Sequence, residues 1–255
     1  MAVIDAPPAG HAPATTARMR WPSVLVLHLA PAAATFAAAL LLAPLVARLG
    51  LPRGFALTAA FAFVLTPIEL GLLLRAAHRA TGRWSLQAVP EVLAYRRPLG
   101  RWWRLVPVMF AVALAIAVAW QPVGNALGAP LAGLFPDWML PTYDETVGFP
   151  RAAVVAVLLV SLLIDGTISP IVEELYFRGY LLPRLPLAGW QAVPVSAALF
   201  AVQHYWQPYN WMLIFVLEVL LTTLVRRSRS FRFGMVMHVL ANCFGILVTL
   251  ISVLS

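Results

Sequence analysis

Lysine is absent from this 255-residue chain, so all 18 of its basic side chains are arginine. Cysteine occurs once, as Cys243. No internal disulfide can form, which excludes a secreted disulfide scaffold. Charge of either sign is scarce, at 11% of residues, where a soluble domain carries about 25%. Apolar side chains fill the gap: 62% of residues are hydrophobic and mean hydropathy is +0.85. That balance excludes a water-soluble globule and a disordered chain. The expectation is an all-α, polytopic membrane bundle of about seven transmembrane helices.

The net charge is +8. In a soluble protein it would suggest a nucleic-acid partner. Here the arginines flank apolar runs, as topology signals facing anionic lipid do. No basic stripe with interleaved aromatics occurs, so no nucleic-acid partner is expected. Arginine without lysine, on Ala-rich helices, suggests a GC-rich genome and a bacterial cytoplasmic membrane.

A spanning helix needs about 20 apolar residues. Such runs lie at 23–47, 54–77, 105–120, 151–182, 190–206, 211–225 and 233–254, the third and sixth short. Residues 1–22 read as a cytoplasmic tail, 23–150 as N-terminal spans and loops, and 151–255 as a catalytic membrane core. The tail lacks the cleavage-site context of a signal peptide. Segment 78–104 carries six arginines against Glu91, and 226–232 carries four. Segment 121–150 carries Asp137, Asp144 and Glu145 and no arginine. Arginine-rich loops stay cytoplasmic, so the N-terminus is expected inside and the C-terminus outside. Trp102, Trp103, Trp120, Trp138 and Trp190 fall near span ends, where interfacial aromatics collect.

Charged groups at membrane depth are costly and therefore informative. They are Glu69, Asp165, Glu173, Glu174, Arg178, His204, Glu218 and His238. Glu69 and Glu218 read as structural, each able to pair with a neighbouring helix. The stretch 165–184 is richer. Two adjacent carboxylates, Glu173 and Glu174, stand in an apolar helix, and Arg178 follows Glu174 at i+4 on the same face. Arg178 can therefore hold Glu174 ionised, while Glu173 points elsewhere and is free to act as a base. Pro170 removes a helix bond to Gly166 and predicts a kink that admits water. Phe200 and His204 stand at i, i+4, as do His238 and Asn242. Together these groups supply a base for water, a helper and oxyanion donors. A buried Glu–Arg pair with hydrogen-bonded core histidines would explain each motif singly.

The ordered set Glu173-Glu174-x-x-x-Arg178, Phe200-x-x-x-His204 and His238-x-x-x-Asn242 resembles the motifs of the CPBP family. These are the CAAX proteases and bacteriocin-processing (Abi) proteins, which include the type II CAAX prenyl endopeptidases. The resemblance covers about residues 151–250. It implies a glutamate-type intramembrane endopeptidase with Glu173 as the base on water and His204 as its helper. It implies His238 and Asn242 as oxyanion donors, with Glu174 and Arg178 completing the first motif. The implied partners are membrane lipid and a peptide or protein with a hydrophobic or lipidated segment. A prenylated C-terminus is one precedent; a bacteriocin-like leader or a sorted protein's membrane tail suits a bacterial source better. No cofactor is implied.

Two other readings stand beside it. One is a non-catalytic immunity or partner-binding protein on the same scaffold. The other is a zinc peptidase, since two His and a Glu could bind the metal, although no H-E-x-x-H is present. Counting inward from Arg184, Trp190 and Arg232 puts Glu173 roughly 16 Å deep, His204 roughly 21 Å and His238 roughly 9 Å. On that count the three meet only if helices tilt or the Gly179–Pro186 stretch bends.

Overall fold

The fold comes from a computed structural model that describes residues 17–142, 144 and 146–255. Most of the expected tail, and the expected acidic residue Glu145, lie outside the described residues. Among the described residues no strand forms, and six helices are long and apolar enough to cross a membrane. They are α1 (Trp21–Arg48), α2 (Phe55–Thr81), α3 (Gly100–Leu131), α4 (Arg151–Arg184), α6 (Pro208–Ser228) and α7 (Phe231–Leu254). Between α4 and α6 lies the shorter apolar helix α5 (Gly189–Val202). The molecule is an integral membrane helical bundle.

Three expected spans change length. The third is long, because its α-helical part runs from Val106 to Gly128 through Pro122. Proline is tolerated in a spanning helix when neighbouring groups satisfy the freed carbonyl. The sixth extends into its arginine-rich end. The fifth is shorter than expected and stops at Val202, where Gln203–Gln207 turn the chain back into α6. Arg226 near the end of α6 donates to the Gly189 carbonyl at the start of α5. The two helices are therefore antiparallel; α5 is about 20 Å long, less than the roughly 30 Å hydrocarbon core, whereas α6 is long enough to cross it.

Small side chains let α1 and α2 approach closely: Ala32, Ala39 and Ala43 pack with Ala56 and Ala60. Trp138 joins that cluster and is buried. It is a packing residue rather than the expected interfacial one, because its ring fills space beside α1 and α2. Trp103 and Trp190 are exposed.

A polar seam binds α2 to α4. Thr58 donates to Asp165 and shares a hydrogen bond with Ser161, and Thr66 pairs with Ser169. Asp165 is thereby a structural group. Helix α4 then meets α7 at Gly166, whose Cβ position lies 3.0 Å from Cys243 Sγ. The expected Pro170 defect takes another form than a simple kink. Residues Ile164–Ile168 wind as a π-turn, Ser169–Glu173 return to α, and Glu174–Leu181 wind as π again. Pro170 opens the short α segment, where its missing N–H is least costly.

The segment between α2 and α3 braces the arginine-rich end of the bundle. Ala94 N–H donates to the Gly179 carbonyl, and Phe231 N–H donates to the Tyr95 carbonyl. Arg184 donates to the Val92 carbonyl. Ala88, Val89, Val92 and Leu93 pack under Tyr176, Phe177 and Leu181.

Candidate active site

The site forms where the π-wound part of α4 faces α6 and α7. Winding i→i+5 widens the helix and is often found at functional sites. Here it spans both Glu174 and Arg178. Arg178 is 1% exposed, and its Nη1 lies 3.1 Å from Glu174 Oε1. A second ion pair joins Arg178 to Glu218 on α6. The guanidinium also sits over the Phe200 ring, 4.0 Å from its centroid, a favourable cation–π geometry. Three helices are thus tied through one arginine.

Helix α7 meets the same carboxylate. His238 Nδ1 lies 3.2 Å from Glu174 Oε1. One turn earlier on that face stands Gly234. A Cβ there would lie 2.9 Å from the Glu174 carboxyl carbon and overlap Oε2. One turn later Asn242 Nδ2 donates to the Asp165 carbonyl at 2.9 Å. Gly234, His238 and Asn242 therefore make one continuous face against α4.

His204 sits just past the end of α5. Its Nδ1 lies 2.7 Å from the Phe200 carbonyl. A carbonyl only accepts, so Nδ1 carries the proton and Nε2 holds the lone pair in the neutral ring. His238 is oriented by the same logic, with Nδ1 spent on a carboxylate. Phe200 stands between the imidazoles, with ring centroids 5.0 Å from His204 and 6.0 Å from His238.

These groups border a cavity of about 190 Å³ between α3, α6 and α7. Phe200, His204, Glu218, His238 and Asn242 are in its wall. Most of the remaining lining is apolar. Glu173 and Glu174 are not in that wall. Glu173 is 7% exposed, and His238 heads the charged groups acting on it.

The structure brings together all six motif residues: Glu173, Glu174, Arg178, His204, His238 and Asn242. The unequal depths expected for Glu173 and His238 disappear. Consecutive residues Ala94 and Tyr95 bind Gly179 and Phe231, so those two are level, and Arg184 lies a turn below them. Glu174 is then about 7 Å above that level and His238 about 10 Å. The count from Arg184 went wrong because the last turn of α4 lies beneath the bracing segment.

Two acids that read as structural belong to the site. Glu218 joins Arg178 and the cavity wall. Glu69 on α2 is fully buried with neither oxygen hydrogen-bonded, and Glu173 and Arg178 act on it electrostatically. The only signal in the sequence was an acid in an apolar helix, which does not say which partner it meets. Among the described residues no three His, Cys, Asp or Glu side chains gather as a metal-holding group.

Residues 155–244 match the family model of the type II CAAX prenyl endopeptidases, Rce1-like. The matched segment runs from within α4 to just past Asn242 and holds every motif residue of the site. No curated protein and no solved structure gives a match.

Proposed function

We propose that the chain is a glutamate-type intramembrane endopeptidase, a reading supported by the match of residues 155–244 to the Rce1-like family model. Its substrate is a peptide or protein with a hydrophobic or lipidated segment. The observation that carries this reading is the convergence on one cavity of His204, His238 and Asn242. His204 comes from the turn after α5 and the other two from α7, and a hydrogen bond at Nδ1 leaves Nε2 of each imidazole facing the cavity.

In the proposed reaction Glu173 takes a proton from water, and the water oxygen bonds to the scissile carbonyl carbon. His204 Nε2 accepts a hydrogen bond from that water and aligns it. The oxygen of the tetrahedral intermediate accepts from the second N–H of Asn242, since the first is spent on Asp165, and from His238 Nε2–H, a role that requires His238 as the imidazolium donating Nδ1–H to Glu174. Donors placed in this way are worth roughly 3–4 kcal/mol each in low dielectric. The C–N bond then breaks, and the proton held by Glu173 passes to the leaving nitrogen. Glu174 fixes His238, and Arg178 compensates Glu174. We place the N-terminus in the cytoplasm of a bacterial cell and the entrance on the cytoplasmic side.

The test compares membranes from cells producing the wild type with cells producing Glu173→Gln, by sequencing new peptide termini in both. Wild-type-specific termini within or beside apolar segments are expected. Their absence would leave the non-catalytic partner-binding reading. Cleavage should persist after exhaustive chelation; loss restored by zinc would replace the glutamate mechanism with the metallopeptidase one. Glu218 is the acid in the cavity wall, so Glu218→Gln is measured in parallel. If it alone abolishes cleavage while Glu173→Gln does not, the base role moves to Glu218.

A further inference from the structure

Helix α2 repeats the local build of α4. In α4 a π-turn at Ile164–Ile168 leads into Ser169-Pro170-Ile171, and the buried Glu173 follows. In α2 a π-turn at Phe61–Leu65 leads into Thr66-Pro67-Ile68, and the buried Glu69 follows. The two helices run in the same direction: Thr58 bonds to Ser161 and Asp165, and further along both, Thr66 bonds to Ser169 at 2.9 Å. From that last bond Glu69 is three residues on and Glu173 four, about 4.5 and 6 Å of rise. Both spacings keep to the face of the hydroxyl residue. The two acids therefore meet the seam at levels within about 1.5 Å of each other. Glu173 leads the charged groups that act on Glu69. Beyond the acids, Leu73 and Ala77 pack with Tyr176 and Phe177 and close the seam.

Glu69 has no exposure, and neither of its oxygens has a hydrogen-bond partner among the described residues. A carboxylate so placed needs a cation or several donors. The neighbouring donors are spent. The Thr66 and Ser169 hydroxyls bond to each other. The Tyr176 hydroxyl donates to the Leu27 carbonyl at 2.8 Å. Arg178 is shared by Glu174 and Glu218. His28 on α1, buried against Phe177, keeps its proton at Nδ1 on the Val24 carbonyl and has only a lone pair left. A neutral carboxylic acid, by contrast, carries its own donor. The acid across the seam is the acceptor for it.

We propose that Glu69 is a positioning residue for Glu173: as the neutral acid it donates a hydrogen bond to one oxygen of the Glu173 carboxylate across the α2–α4 seam. The inference rests on the reading of Glu173 as the base and adds the group that holds it. Two carboxyl groups this close share one proton, because like charges in a dry site disfavour each other. A charge-assisted bond of this kind is short and strong, so it fixes the Glu173 side chain and stabilises its charge. The other Glu173 oxygen takes the proton from water and returns it to the leaving nitrogen. The Glu69 proton stays on the pair throughout.

The test begins with infrared difference spectra of the full chain in lipid nanodiscs, which need no substrate. Wild type minus Glu69→Gln should show the carbonyl stretch of a neutral carboxylic acid. The band should move in deuterated buffer. The same difference taken in a Glu173→Gln background should show it displaced, because the acceptor is then an amide. A carboxylate signal in place of the acid band would overturn the proposal, as would an acid band that Glu173→Gln leaves unmoved. Turnover is read on a synthetic apolar peptide spanning a wild-type-specific cleavage site. Glu69→Leu keeps most of the volume and loses the donor, so kcat should fall at least about tenfold with KM within about threefold of wild type. Glu69→Gln keeps an N–H donor and should recover most of that loss. Wild-type kcat in folded Glu69→Leu would overturn the positioning role. Loss in Glu69→Gln as complete as in Glu173→Gln would overturn it too, by making Glu69 the base. If Glu69→Leu does not fold, the spectra and Glu69→Gln decide. If the wild type cuts nothing, the endopeptidase reading fails, and the spectra still decide whether the two acids share a proton.

Discussion

At Glu173 an amide would keep the volume of the carboxylate and lose its ability to take a proton. Glu173→Gln should therefore abolish proteolysis while leaving the fold close to intact, as read by thermal unfolding in detergent. Turnover within tenfold of wild type would refute the base assignment. Arg178 is a different kind of position. It compensates Glu174 and Glu218 at once, with almost no exposure. Removing one partner of a buried pair costs about 3–5 kcal/mol, and here two acids lose theirs. Arg178→Ala should lower both activity and expressed yield. The double change Glu174→Gln with Arg178→Met should recover only part of the yield, because Glu218 remains unpaired. Adding Glu218→Gln should recover more. An unchanged yield in Arg178→Ala would show that the network contributes nothing to folding. The i, i+4 spacing made the Glu174 pair readable in the sequence. The Glu218 pair was not, because the contact crosses from α4 to α6 and no local pattern encodes it.

Helix α7 owes its approach to α4 to a missing side chain. Gly→Ala in a helix interior normally adds about 1 kcal/mol of stability through propensity. At Gly234 the added methyl would overlap the Glu174 carboxylate that His238 and Arg178 share. Overpacking of this kind costs about 1–3 kcal/mol. Gly234→Ala should therefore lower the unfolding temperature and reduce turnover at least about tenfold. Gly245→Ala, where a Cβ meets nothing within 4 Å, serves as the control on the same helix. Equal effects at the two positions would mean that the close approach at Gly234 is not real. Helical periodicity and apolar length made the helices and the Gly234–His238–Asn242 register legible. They did not reveal the π-turns in α4, since both windings share one apolar pattern over so few residues. They also missed the early end of α5. Tyr205 and Trp206 continue its apolar run, yet the chain turns there and their rings pack against α1 and α2 side chains.

Across the whole molecule, orientation decides which compartment supplies substrate. The arginine-rich ends of α4, α6 and α7 gather on one side, braced by the segment between α2 and α3. Arginines at that density stay cytoplasmic. Because α5, at about 20 Å, is shorter than the hydrocarbon core, His204 just past its end is expected at membrane depth. The cavity continues from there along α6 toward the arginines. On the opposite side, Asp144 is exposed, and hydrogen bonds from the Thr146 hydroxyl and N–H hold its carboxyl below the usual range. It is therefore ionised and suited to water. Single cysteines in a Cys243→Ala background test the arrangement. A membrane-impermeant thiol reagent outside intact cells should label Asp144→Cys and spare Arg229→Cys until the membrane is opened. The reverse pattern would turn the bundle over. The cavity would then be supplied from the exterior, and cytoplasmic tails would be excluded as substrates whatever their chemistry.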